Sequence, residues 1–236
     1  MVILAHPIKG KQKSVDICNA FAQGAPKSLI FANVFYGVNE TNRRDWEIVK
    51  RSGQDWYFVD NSYFDAVRGR QFRITKNAVQ IDASCGGPTD GKRFAALGLT
   101  VKPHHPASTG YALVVEQSPS FMLDVAQAPR WLDTYAAFAR SVGHEVKTRP
   151  WNRDKLKAQT TLKADLQGAR YVITHSSAAA VEALLDGLSV VTSPMSAVTS
   201  IDEERKLFAM GVLADNQWTI DEIKSGKAWS WLNRER

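Results

Sequence analysis

The chain reads as an α/β protein built from two doubly wound parallel-sheet domains that face a cleft. Three observations predict this. Short apolar strands alternate with helical segments at both ends of the sequence, the pattern of parallel strands joined by crossover helices. Several strands are continuously apolar, as expected where helices cover both faces of a sheet. Between the two alternating regions lies Lys102 to Ser108, KPHHPAS, with two prolines and no periodicity, which reads as a linker. The expected domains are 1–106 and 107–236, the second carrying C-terminal helices.

In the first region, Met1 to Ala5 is a short strand ending at His6-Pro7. A loop with Lys9, Lys11 and Lys13 follows. Ser14 to Gln23 has helical spacing through Val15, Ile17, Cys18 and Phe21, and it stops at Gly24 and Pro26. Ser28 to Tyr36 is a β-rich strand closed by Gly37. Asn39 to Arg51 is a polar helix with Trp46, Ile48 and Val49 as its apolar side. Trp56 to Val59 is a third strand that delivers Asp60. Phe72 to Ile81 is strand-like, and Cys85-Gly86-Gly87-Pro88 must be loop.

In the second region, Tyr111 to Glu116 is a strand and Ala128 to Val142 a helix with Trp131, Leu132, Tyr135 and Phe138 on one side. Glu145 to Thr148 is a strand, and Lys157 to Leu166 has helical character. Tyr171 to Pro194 then reads as strand, polar turn (His175, Ser176, Ser177), helix, stop at Gly187, and strand. Ser200-x-x-Glu203 and Thr219-x-x-Glu222 each have the spacing of a helix capping box. Trp229, Trp231 and Leu232 are expected to pack the last helix onto the body.

The 236 residues, 44% hydrophobic and 23% charged, suffice for two cores and exclude a disordered chain. No run is long enough to span a bilayer. The opening apolar run is too short for a signal peptide, so a cytoplasmic location is expected. Cys18 and Cys85 give neither a disulfide framework nor a metal pair. His104-His105 stand beside prolines, and no metal is expected. A GxSxG elbow and a P-loop are absent, which counts against hydrolase and NTPase chemistry. The net charge of +6 directs attention to anionic partners: nucleotides, nucleic acid or an acidic glycan.

The run HSSAAAVEALLDGLSVV resembles the sugar-nucleotide-binding segment of glycosyltransferases with two facing Rossmann-like domains (GT-B type), in particular those of capsule-polysaccharide synthesis. Val59-Asp60-Asn61-Ser62-Tyr63-Phe64 is similar to the acidic Glu-Asp-Gly-Phe segment in the first half of that group, with Val59 in place of its acid and Ser62-Tyr63 in place of Gly-Phe. The tail from Gln217 to Trp229 resembles that of compact phage-encoded members. The resemblance implies a nucleotide-sugar-dependent transferase with no tightly bound cofactor, a UDP-sugar as co-substrate, and the host cytoplasm as its place if phage-encoded.

The residues sort accordingly. Backbone amides at the Ser176–Ser177 helix start suit a diphosphate, and His175 at the strand end is placed to donate to a phosphate or a sugar hydroxyl. Glu182 has apolar neighbours and needs a partner; the resemblance gives it a ribose. Arg149 is a candidate for the diphosphate, with Arg153 and Lys155 competing, and Gln117, Ser118 and Ser120 follow the first strand of the second half. Asp60 is a candidate catalytic base or an Asx turn, with His6 on the same edge. Lys9, Lys11, Arg68, Arg70, Arg73, Lys76, Lys92 and Arg93, interleaved with Phe72 and Phe94, form a candidate polyanion surface or a solvated basic face. The expected acceptor is a 5-hydroxymethylpyrimidine in phage DNA, flipped out or single-stranded. A surface or capsule polysaccharide is the alternative, and an epimerase or a non-catalytic nucleic-acid-binding domain are the rivals.

Overall fold

The computed structural model describes residues 2–26, 31–84, 89–105, 109–151 and 160–234. The expected Cys85–Pro88 loop, the end of the linker and residues 157–159 lie outside them. The chain divides into two compact units, Met1–Ile81 with Leu213–Arg236, and Asp82–Val212. Each is an α/β unit built on a Rossmann-like sheet, one mostly parallel and one wholly so.

The first unit contains β1 (Val2–His6), α1 (Gln12–Gly24), β2 (Phe31–Tyr36), α2 (Arg43–Ser52), β3 (Trp56–Asn61) and β4 (Gln71–Lys76), and it is completed by β9 (Gln217–Thr219), α8 (Ile220–Lys224) and α9 (Lys227–Leu232). The strand order is β1-β2-β3-β4-β9. The first three strands are mutually parallel, β4 is antiparallel to β3, and β9 is antiparallel to β4, so β4 alone runs against the rest.

Side chains alternate across the sheet. Val34, Tyr36, Tyr57 and Val59 meet Ile17, Cys18 and Phe21 of α1. Phe35, Trp56 and Phe58 point the other way and pack edge-on against Trp46 of α2, at centroid distances of 5.2, 4.7 and 5.6 Å. The two helices thus cover opposite faces, although both crossovers step in the same direction across the sheet. Such crossovers have opposite hands, so only one follows the usual right-handed rule.

The C-terminal segment belongs to the first unit, because β9 extends the first sheet and Trp229 packs on Phe21 and Tyr57 at 5.8 and 5.0 Å. A β-carbon at Gly24 would lie 2.1 Å from the Ile223 carbonyl oxygen, so glycine lets α1 and α8 approach. The Thr219–Glu222 capping box forms with both reciprocal bonds. The Ser200–Glu203 spacing starts no helix; Asp202 instead accepts from the Arg205 amide ahead of α7 (Lys206–Asp215). The expected Phe72–Ile81 strand ends at Lys76, where Asn77 turns with positive φ and accepts from the Trp56 amide.

The second unit contains α3 (Lys92–Ala95), β5 (Tyr111–Val115), α4 (Trp131–Ser141), β6 (Val146–Arg149), α5 (Leu162–Gln167), β7 (Ala169–Ile173), α6 (Ala179–Leu185) and β8 (Ser189–Val191). The sheet order is β6-β5-β7-β8, all parallel. Ala112, Val114 and Ile173 pack on Ala136 and Ala139 of α4. Leu113, Val115 and Val172 pack on Leu166 of α5 and on Ala179 and Ala183 of α6. This is a doubly wound arrangement, and the strand order reverses between β5 and β7. The expected stop at Gly187 is real: its φ is +81°, and a β-carbon there would meet the Pro103 carbonyl oxygen at 2.3 Å. No helix among the described residues is long and apolar enough to cross a membrane.

Candidate functional site

In an open parallel sheet the carboxyl ends of the strands at the order reversal leave a crevice that ligands occupy. In the second unit this point is the end of β5 beside the end of β7, and polar side chains join there. The Ser176 amide donates to Gln117 Oε1 at 2.7 Å, and Gln117 Nε2 donates back to Ser176 Oγ at 3.2 Å. Thr174 Oγ1 donates to the Val115 carbonyl at 3.0 Å, a second tie between the strand ends.

His175 is the buried centre of this edge, 4% exposed. Its Nδ1 lies 3.2 Å from Ser176 Oγ and 3.3 Å from Ser193 Oγ, and the Ser193 amide donates to its carbonyl at 3.0 Å. Phe121 and Trp131 meet its ring edge-on at 6.3 and 5.3 Å. Burial there pushes the imidazole pKa below its ordinary value, favouring the neutral ring. A neutral ring has one donor and one acceptor nitrogen, so the cluster is able to orient hydroxyls without carrying a charge.

The remaining expected donor residues are placed differently from one another. Ser177 Oγ accepts from the Ala179 amide at 3.2 Å, while the Ser176 amide is engaged by Gln117, so the helix itself starts only at Ala179. Ser118 Oγ accepts from the Phe121 amide at 3.1 Å and faces Ser120 Oγ at 3.5 Å, shaping the π-helical turn Phe121–Val125. Glu182 is half-buried in the first turn of α6.

Arg149, the candidate for the diphosphate, has partners within the second unit. Its guanidinium bonds the Asp165 carboxylate and donates to the Thr160 carbonyl at 3.0 Å. Asp165, 1% exposed, also accepts from Lys147 Nζ at 2.7 Å and Thr160 Oγ1 at 2.8 Å. Burial works against its charge, but the donors prevail and hold its pKa below the usual carboxylate value. Arg153 and Lys155 lie outside the described residues.

In the first unit, His6 and Asp60 sit at the ends of β1 and β3, with β2 between them. His6 Nε2 lies 2.9 Å from Asn33 Oδ1 and Nδ1 lies 3.2 Å from Asp45 Oδ2, while its ring stacks on Phe35 at 4.4 Å. Asp60 Oδ2 accepts from Arg73 at 2.6 Å, and Oδ1 accepts from the Asn61 amide at 2.7 Å. Beside it, Lys13 Nζ and Tyr36 Oη both donate to Asn61 Oδ1, at 3.3 and 3.4 Å.

The candidate basic residues are divided between the two units and differ in their partners. Arg73 is buried, 6% exposed, and lies over the Tyr63 ring at 5.0 Å, so it is no surface contact. Arg68, Lys76 and Lys92 pair with Asp65, Asp55 and Asp90, each at 2.8 Å, and Arg70 donates to the Ala66 carbonyl. Lys92 and Arg93 belong to the second unit, and the others, including exposed Lys9 and Lys11, to the first.

Ser193, Phe121 and Trp131 were missed as site residues by sequence reasoning. The signal for Ser193 was present: it stands two residues past the end of a strand, as His175 does. Trp131 and Phe121 carry no such mark, since aromatic residues at helical spacing read as core.

No protein-family model matches the chain, and no curated protein matches it. Among solved structures it is similar to KpsC, beta Kdo 2,4 transferase, of Thermosulfurimonas dismutans, with a TM-score of 0.57 at 12% identity over 93% of this chain and 92% of that one. It is also similar to KpsC, beta Kdo 2,7 transferase, of the same organism, with a TM-score of 0.45 at 11% identity over 94% and 90%. The first likeness is one of fold, and it spans both units.

Proposed function

We propose that the protein is a glycosyltransferase that takes a sugar from a nucleotide-sugar donor held at the carboxyl edge of the second sheet. The observation that carries this reading is the Gln117–Ser176 double hydrogen bond with buried His175 beside it, at the point where the strand order reverses. The likeness of fold to a solved glycosyltransferase supports it. In the proposed reaction the bond from the anomeric carbon to the donor phosphate breaks and one to the acceptor oxygen forms. The nucleotide leaves, and the acceptor proton passes to a base or to the leaving phosphate.

Neutral His175 and the Ser176 and Ser193 hydroxyls are assigned to the donor, and Glu182 to its ribose. Gln117 fixes the edge, and Ser118 and Ser177 shape the adjoining turns. A UDP-sugar is the first donor to try. Asp60 and His6 are assigned to the acceptor side. Because Asp60 receives a donor on each oxygen, an acceptor hydroxyl would share an oxygen already bonded.

For the acceptor, a glycan is the reading we favour over hydroxymethylated DNA. Four of the eight basic residues that suggested DNA are paired with carboxylates, which leaves less charge to meet phosphates. The solved neighbour of like fold is named for transfer of a sugar, Kdo.

A panel of nucleotide sugars, read by thermal stabilisation, tests donor binding; stabilisation by none defeats the proposal. Incubation of the stabilising donor with oligosaccharides, plain DNA and hydroxymethylated DNA, followed by mass analysis, assigns the acceptor. A sugar mass found only on hydroxymethylated DNA would restore the DNA reading.

A further inference from the structure

Near His175 the first turns of α4 carry a feature that the donor assignment has not used. Trp131 meets the His175 ring edge-on, and its own ring stacks on Tyr135 at 4.2 Å with planes 28° apart. Trp131 is half-buried, whereas Tyr135 is 37% exposed. The four-residue spacing puts them one helical turn apart on the same side. Trp131 also packs partly against the core that holds Ala136 and Ala139 of α4, whereas Tyr135 is among the exposed large side chains. A stacked pair of large rings is therefore left partly open to solvent at the very edge where the donor is placed.

An exposed aromatic ring contributes little to the fold by itself, because its outer face is in water. It does offer a flat apolar surface to a planar ligand group. Of the parts of a nucleotide sugar only the base is a planar π-system that can stack face to face on such a ring. Ordering of the platform is already achieved, because Trp131 is wedged against His175 and holds Tyr135 in place.

We infer that Trp131 and Tyr135 form the stacking platform for the donor's nucleobase. This rests on the donor reading above. Stacking recognises the π-face that all bases share, so the platform alone gives affinity without choosing strongly among bases. Tyr135 is the contacting ring and Trp131 the ring that positions it.

The test uses the full chain with the diphosphates of uridine, cytidine, adenosine and guanosine, and with inorganic pyrophosphate, titrated calorimetrically. Tyr135→Ala, at an exposed position, is expected to fold normally and to bind the nucleotides at least about fivefold more weakly, with pyrophosphate affinity unchanged. Tyr135→Phe should restore nucleotide binding, since the ring and not the hydroxyl acts. Trp131→Phe should bind with intermediate affinity. If the wild type binds a nucleotide and Tyr135→Ala binds it equally well, the platform is refuted while the donor reading stands. Equal losses for nucleotide and pyrophosphate would also refute it, by showing a general disturbance of the site. If the wild type binds no nucleotide at all, the donor reading itself fails.

Discussion

Gln117 and Ser176 grip each other through two hydrogen bonds, one at 2.7 Å from the Ser176 amide and one at 3.2 Å to its hydroxyl. They lie 59 positions apart in the chain and meet because β5 and β7 are neighbours in the sheet. Replacing Gln117 by Ala removes both bonds and leaves the Ser176 amide without this acceptor. A loss of about 1–2 kcal/mol in stability is expected, together with at least tenfold weaker donor binding. Chemical denaturation and donor titration check the two effects separately.

His175 gives a pH signature. Its folded pKa is depressed by burial, so below the ordinary histidine value of 6.5 the unfolded chain takes up the proton more readily than the folded one. The His175 contribution is therefore level above that value and declines as pH falls through the window beneath it. The wild type should lose melting temperature between pH 6.5 and 5 more steeply than His175→Gln. Parallel curves would show that another group governs that range.

Arg149 separates structure from binding. Its bond to Asp165 predicts that Arg149→Ala lowers stability while donor affinity changes less than threefold. Asp165→Ala should cost about 3 kcal/mol, since it leaves Lys147 and Arg149 facing each other without their shared carboxylate. Because Asp165 has a depressed pKa, its stabilisation is present above the ordinary carboxylate range and is lost as pH falls below it. Strong loss of donor affinity in Arg149→Ala at unchanged stability would return Arg149 to the diphosphate.

The C-terminal segment makes a prediction about fragments. A fragment of residues 1–106 lacks β9, α8 and α9, and with them Trp218, Ile223 and Ala228 of the first core. It should not fold cooperatively, as circular dichroism on heating would show. Joining residues 1–81 to 213–236 through a short Gly/Ser linker should restore a cooperative transition. A cooperative 1–106 fragment would contradict the observed assembly.

The alternation of strands and helices was legible in the sequence, and so was the strand–turn–helix unit that delivers His175, because both are local patterns of apolar spacing. The linker was a poorer guide. Prolines mark a break in regular structure, but only the pairing of β4 with β9 reveals that the chain returns to its first sheet. The pairing of Arg149 with Asp165 was equally hidden, since a basic residue at a strand end looks the same whether a ligand or a carboxylate from the next helix faces it. Net charge misled in the same way: Arg73 counts as +1 in a composition and is buried against Asp60 in the fold. Trp131 read as core, and its ring does pack inward on His175; its stacked partner Tyr135 became noticeable only once its exposure was known.

Mapping of the donor by amide chemical-shift changes tests the central claim most directly. With the most stabilising nucleotide sugar, the account predicts the largest changes at Gln117–Ser120, Thr174–Ser177 and Ser193, the ends of β5, β7 and β8. Changes confined to residues away from these strand ends, or no saturable change with any nucleotide sugar, would contradict it.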